Sequence, residues 1–154
     1  MSVSISPLST SDLEIRRLVY DGFIERSTCP SRGEVAQGVG VSETEVVNSF
    51  RRLAEAHVLV LQPGSGEVLM ANPFSAVPTA FRVEADERGW WANCIWDGLG
   101  VVAMIGKNAV IHTSCADCGE AIVLEVKGLS LGQVDALVHF AVPAAHWWED
   151  IVFT

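Results

Sequence analysis

The chain has 154 residues, 49% of them apolar, a formal net charge of -9 and a sequence pI near 4.8. That length and apolar content suit one domain, or two small ones sharing a core. The negative charge excludes a broad basic field for nucleic acid or an anionic membrane.

No stretch reaches the roughly 18 apolar residues that a membrane span needs, and the opening MSVSISPLSTSDLE lacks the basic and apolar regions of a signal peptide. A cytoplasmic location is therefore expected. Four cysteines, at 29, 94, 115 and 118, are too few and too clustered for a secreted disulfide scaffold, so reduced thiols are expected.

In chain order, three helix starts come first. Ser11 with Glu14, Ser31 with Glu34 and Ser42 with Glu45 each fit the capping box that satisfies the free amides of a helix N-terminus. The first helix offers Ile15, Leu18, Val19 and Phe23 to a core, the short second one Val35 and Ala36, and the third Val46, Val47, Phe50, Leu53 and Ala54 at amphipathic spacing. VLVLQPGSGEVLM then reads as two strands around a Pro-Gly-Ser-Gly turn, which predicts a winged helix-turn-helix over residues 1–72. DNA is not its expected partner: residues 31–71 hold three Lys/Arg against five Asp/Glu, and the helix that would enter a groove starts with Glu43 and Glu45. A structural or interaction role is the better expectation.

Residues 73–154 read as an α+β unit on an antiparallel sheet. NPFSAVPTAFRV is an extended connector feeding a strand at 81–85; a helix follows over 91–105, then strands at 109–113, 122–127 and 136–142. A final strand DIVFT would leave an apolar edge, which predicts further sequence beyond Thr154 or pairing with a second copy of the chain.

Cys94 and Asp97 in WWANCIWDGLG lie three residues apart, so on a helix they converge on one small ligand. The helix dipole would lower the thiol pKa, and apolar surroundings would raise that of the carboxyl. A thiolate beside a proton donor can hold a soft electrophile while protonating the group that leaves it. Taken alone, a C-x-x-D is more often a structural cysteine and a capping aspartate. CADCG, with Cys115 and Cys118, is read first as a hairpin turn with Gly119, then as a thiol pair for a soft metal, and last as half of a zinc site with His112. Cys29 reads as a loop residue, and His57, His112, His139 and His146 lack metal-site spacing. Trp90, Trp91 and Trp96 could wall an apolar pocket or belong to the core, while Trp147 and Trp148 suggest cover supplied from elsewhere.

WWANCIWDGLGVVAMIGKNAVIHTSCADCGEAIVLEV, with PFSAVPTAFRV before it, resembles the alkylmercury lyase (organomercurial lyase) family. The resemblance implies an N-terminal helix-turn-helix-like domain not used for DNA, and a domain that protonolyses carbon-mercury bonds to a hydrocarbon and Hg(II). It implies no organic cofactor and an external thiol that carries the metal away. Cys94 would be the mercury ligand, and Asp97 the proton relay and transient ligand. The family's second catalytic cysteine follows a segment like WWEDIVFT, the last residues of this chain, so the resemblance carries one catalytic cysteine onto it.

Overall fold

The computed structural model describes residues 7–152; the first six residues of the opening segment, and Phe153 and Thr154 of DIVFT, lie outside them. Three helices come first: α1 (Thr10–Arg26), α2 (Arg32–Val39) and α3 (Glu43–Glu55). They pack through Ile15, Val19, Phe23, Val35, Val46, Phe50 and Leu53, each at most 2% exposed. Burying side chains of this size stabilises by about 1.5–3 kcal/mol each relative to leaving them in water.

The caps follow the expected chemistry with two changes. α1 is capped by Ser9 and Asp12, two residues earlier than the Ser11–Glu14 box, and Asp12 also accepts from Ser49 Oγ at 2.6 Å and Arg52 Nη2 at 2.8 Å. Ser42 caps α3 through the Glu45 amide, but Glu45 does not reach back; its carboxylate accepts from Arg52 Nη2 at 2.7 Å. Ser31 and Glu34 form the reciprocal box as expected.

Eight strands then build one sheet: β1 (Val60–Leu61), β2 (Val68–Ala71), β3 (Phe74–Ser75), β4 (Phe81–Ala85), β5 (Arg88–Ala92), β6 (Ala109–Ser114), β7 (Ala121–Lys127) and β8 (Ser130–Leu131). The order is β1-β2-β3-β5-β4-β6-β7-β8 and the pairings are antiparallel, so the fold class is α+β. β2 pairs with β3 through Met70 with Ser75 and Ala71 with Phe74, so the sheet runs uninterrupted past residue 72.

Helix α4 (Ile95–Ile105) crosses β4, β5 and β6. Its close approach uses Gly98, where an added Cβ would touch Ile111 at 3.4 Å, and Gly100, where it would meet Pro73 at 3.0 Å. On the sheet's other connection, Phe23 of α1 stacks on Phe74 with ring centroids 4.9 Å apart, and the buried Trp90 indole N–H donates to the Phe23 carbonyl at 2.6 Å.

Three expectations need correction. Residues 91 and 92 belong to β5, which pairs with both β3 and β4, so the helix begins only at Ile95. Residues 136–142 form no strand: after Gly132 donates to the Glu125 carbonyl the chain leaves the sheet, Leu137 is 98% exposed, and a 3-10 helix at Ala144–Glu149 follows. Asp150 to Val152 are bend and turn rather than strand. Among the described residues no helix is long and apolar enough to cross a membrane.

Candidate active site

The site is assembled where β5 hands the chain to α4. Ala92 is paired with Phe81 on one side and Phe74 on the other, and its carbonyl accepts from Thr79 Oγ1 at 2.5 Å, so the exit from the strand is fixed. The next residue, Asn93, uses one amide nitrogen as a hub. Nδ2 lies 2.9 Å from Asn72 Oδ1, 3.5 and 3.4 Å from the Pro73 and Phe74 carbonyls, and 3.2 Å from Asp97 Oδ2. Its Oδ1 is buried with no partner among the described residues.

Cys94 is not inside the helix but caps it, with extended backbone at φ -148° and ψ -179°, and Sγ accepts from the Asp97 amide at 3.4 Å. Serine, threonine, asparagine and aspartate are the preferred residues there, and a thiol sulfur is a weak acceptor. Helix stability alone therefore gives no reason for a cysteine at this position.

Burial, opposed by the amides of Asp97 and Trp96, pushes the Cys94 thiol above its ordinary 9.0, and the neighbouring Asp97 charge adds to the rise. This corrects the expectation of a depressed thiol pKa: desolvation outweighs the helix N-terminus. Asp97 moves as expected. Burial lifts its carboxyl above 3.8, against hydrogen bonds from Asn93 and from the Cys94 thiol, and no cation opposes the shift. The thiol and the carboxyl are thus neighbours on one helix turn, joined through the Asp97 amide. Tyr20 of α1 completes the surroundings, its hydroxyl donating to the Asn72 carbonyl at 3.0 Å and its own pKa raised by burial, with Asp97 adding to the rise.

The three tryptophans nearby do not wall a common pocket. Trp90 is core, Trp91 lies under Arg82 with the guanidinium 4.6 Å from its ring, and Trp96 is 60% exposed on the first turn of α4. Trp148 stacks on His57 at 4.1 Å, and Trp147 donates to the Val142 carbonyl at 2.8 Å, so the chain itself supplies part of their cover.

The remaining candidates lie elsewhere. Cys115 and Cys118 occupy the turn between β6 and β7, and His112 on β6 faces Glu84 with Nε2 to Oε2 at 3.5 Å. Among the described residues no group of three or more His, Cys, Asp and Glu gathers at one point. Cys29 is packed beside the core, and burial pushes its thiol up to about 12. Residue patterns gave no notice of Asn93 and Asn72. The usable signal was an asparagine directly before the cysteine in an otherwise apolar run.

A family model described as alkylmercury lyase matches residues 74–154, just over half of the chain, which includes Cys94, Asp97, Cys115 and Cys118. The chain belongs to the alkylmercury lyase family. Among solved structures it is similar to the mercury-bound form of MerB2, at 20% identity and a TM-score of 0.63. That likeness covers 82% of this chain and 60% of the other, so this member spans less than two thirds of the solved chain. No curated protein matches it. The likeness establishes the fold of this alkylmercury lyase relative, and the family match assigns the half that carries Cys94 and Asp97.

Proposed function

We propose that the chain protonolyses the carbon-mercury bond of small organomercurials, with Cys94 as the mercury ligand and Asp97 as the proton relay. The observation that carries this reading is a cysteine at a helix cap where serine would serve the fold better, its sulfur accepting from the amide of Asp97, whose own carboxyl has a raised pKa. Sulfur that binds mercury must lose its proton, and Asp97 is the adjacent acceptor. A carboxyl whose pKa is raised by burial takes and holds that proton as a general acid positioned to deliver it, here to the carbon leaving mercury. The protons balance: one leaves the thiol, passes through the carboxyl and ends on the hydrocarbon, while Hg(II) remains on sulfur. An external thiol of a reducing cytoplasm then takes the metal away.

Asn93 is a positioning residue, holding Asp97 Oδ2 through the same nitrogen that ties it to the Asn72–Phe74 turn. The N-terminal helices, read as a winged helix with a net acidic face, serve structure or protein contact rather than DNA. Self-association through the C-terminal segment would cover exposed side chains such as Leu137.

A second reading, mercury binding without turnover, is favoured by the Cys94 site having, among the described residues, only Asp97 as a second candidate ligand. Incubation of phenylmercury with excess thiol separates the two. Catalytic benzene release lost in both Cys94→Ser and Asp97→Asn supports the lyase. Stoichiometric mercury retention without benzene supports binding alone, and release that survives Cys94→Ser removes both.

A further inference from the structure

The turn between β6 and β7 carries chemistry that the Cys94 site does not use. Cys115 and Cys118 are free thiols, Cys118 exposed and Cys115 half-buried. The turn is closed from both sides, the Gly119 amide donating to the Cys115 carbonyl at 2.9 Å and the Cys115 amide to the Glu120 carbonyl at 2.8 Å. Gly119 takes φ +75°, a conformation that glycine reaches without strain. This closed turn holds the two cysteines three residues apart on one short loop, and the Cys118 and Asp117 amides, with the Cys118 side chain, hold the Cys115 thiol below its ordinary 9.0.

The ligand count decides which metal such a pair fits. Structural zinc requires four ligands. Here the described residues offer no third His, Cys, Asp or Glu at the same point, and His112 is engaged with Glu84. Two thiolates instead satisfy a soft ion that prefers linear two-coordination.

Position adds a reason for mercury. Phe81 pairs with Ala92, Arg82 with His112 and Ser114 with Ala121, so the end of β5, the start of β4 and the β6–β7 turn lie at the same end of the sheet. β5 and β6 flank β4, which puts the strand end that precedes Cys94 about 10 Å from the strand that leads into the thiol pair, two strand spacings away.

We propose that Cys115 and Cys118 form a two-thiolate Hg(II) site separate from Cys94 and Asp97. The choice of metal rests on the proposed function; the site does not need the Cys94 chemistry. Each Hg(II) displaces two thiol protons and forms two mercury-sulfur bonds, with no change of oxidation state.

The test uses the full chain carrying Cys94→Ser, a substitution that keeps a good helix cap, and so reads binding without turnover. Hg(II) is supplied as its bis-glutathione complex and metal per chain is counted by native mass spectrometry. One Hg(II) per chain is expected, with affinity falling about 100-fold when Cys118→Ser is added, because the chelate's effective concentration is lost. Cys115→Ser should act alike, and circular dichroism checks that both variants remain folded. Unchanged mercury uptake in either variant overturns the proposal. So does a zinc ion held by the same two cysteines.

Discussion

Helices α1 and α4 open alike, with a side-chain cap followed three residues later by an aspartate, yet the two aspartates are pushed in opposite directions. Asp12 is 1% exposed, and burial alone would raise its pKa. The Arg52 guanidinium, Ser49 and Ser9 more than reverse that and hold the carboxyl far below its ordinary range. Asp97 has burial without a cation, and Asn93 and Cys94 only moderate the rise. The local pattern is nearly the same; the difference is an arginine supplied from 40 residues away. Asp12 is thereby a structural anion, and Asp97 a group able to hold and release a proton.

The contrast can be broken by removing the cation. Arg52→Met leaves Asp12 buried without its partner and should cost about 3 kcal/mol, the low end for a broken buried pair because Arg52 is itself 39% exposed. Urea unfolding measures this, and a loss below about 1 kcal/mol would mean that the arginine is not what distinguishes the two sites.

Acid should sharpen it. The pKa of Asp12 is depressed by folding, so its stabilisation is present above the unfolded value near 3.8 and is lost as pH falls below it. Thermal midpoints from pH 5 to 2 should fall steeply for the parent chain and less steeply for Arg52→Met.

Asp97→Asn should show the opposite sign. Its folded pKa is raised, so the stability linked to that shift is present below 3.8 and lost as pH rises through the folded value. The amide should therefore leave stability at pH 7 equal or higher, by up to about 1 kcal/mol, while the hydrocarbon release rate falls by about 100-fold or more. Destabilisation by the amide would place Asp97 with Asp12 as a structural group.

Two smaller effects complete the series. Asn93→Leu removes a hydrogen bond that lowers the Asp97 pKa, so the acid limb of the rate profile should move upward while the rate falls several-fold. Iodoacetamide labelling followed by peptide mass should find Cys115 and Cys118 modified first, Cys94 later and Cys29 last, in line with their exposure and with burial pushing Cys29 to about 12.

Much of this was legible in the residues. The Ser31 and Ser42 caps, the apolar spacing of α3 and the strands around 81–85, 109–114 and 121–127 all follow from local pattern. The C-x-x-D was legible as a pair, but its protonation was not, because burial depends on β3, β4 and β5 closing around it.

The β4–β5 hairpin was missed for a specific reason. Its turn places Asp86 at φ 48° and Glu87 at φ 62°, left-handed positions where Asn-Gly or Asp-Gly would normally announce a hairpin, and RGWWA then merged with the apolar helix behind it. The overcounted strand at 136–142 failed in the other direction. Its composition favours a strand, but a strand needs a paired neighbour, and the ladder beyond β7 ends with Ser130 and Leu131.

The end of α1 has a consequence for how the molecule opens. Its last carbonyls are taken by side chains of β5: Trp90 donates to Phe23, and Arg88 to Glu25 at 2.8 Å and Ile24 at 3.4 Å. A helix end normally frays first because only water holds those groups. Here fraying would require the strand that leads to Cys94 to let go as well. Amide exchange in the last turn of α1 and in β5 should therefore slow and quicken together, as one cooperative unit.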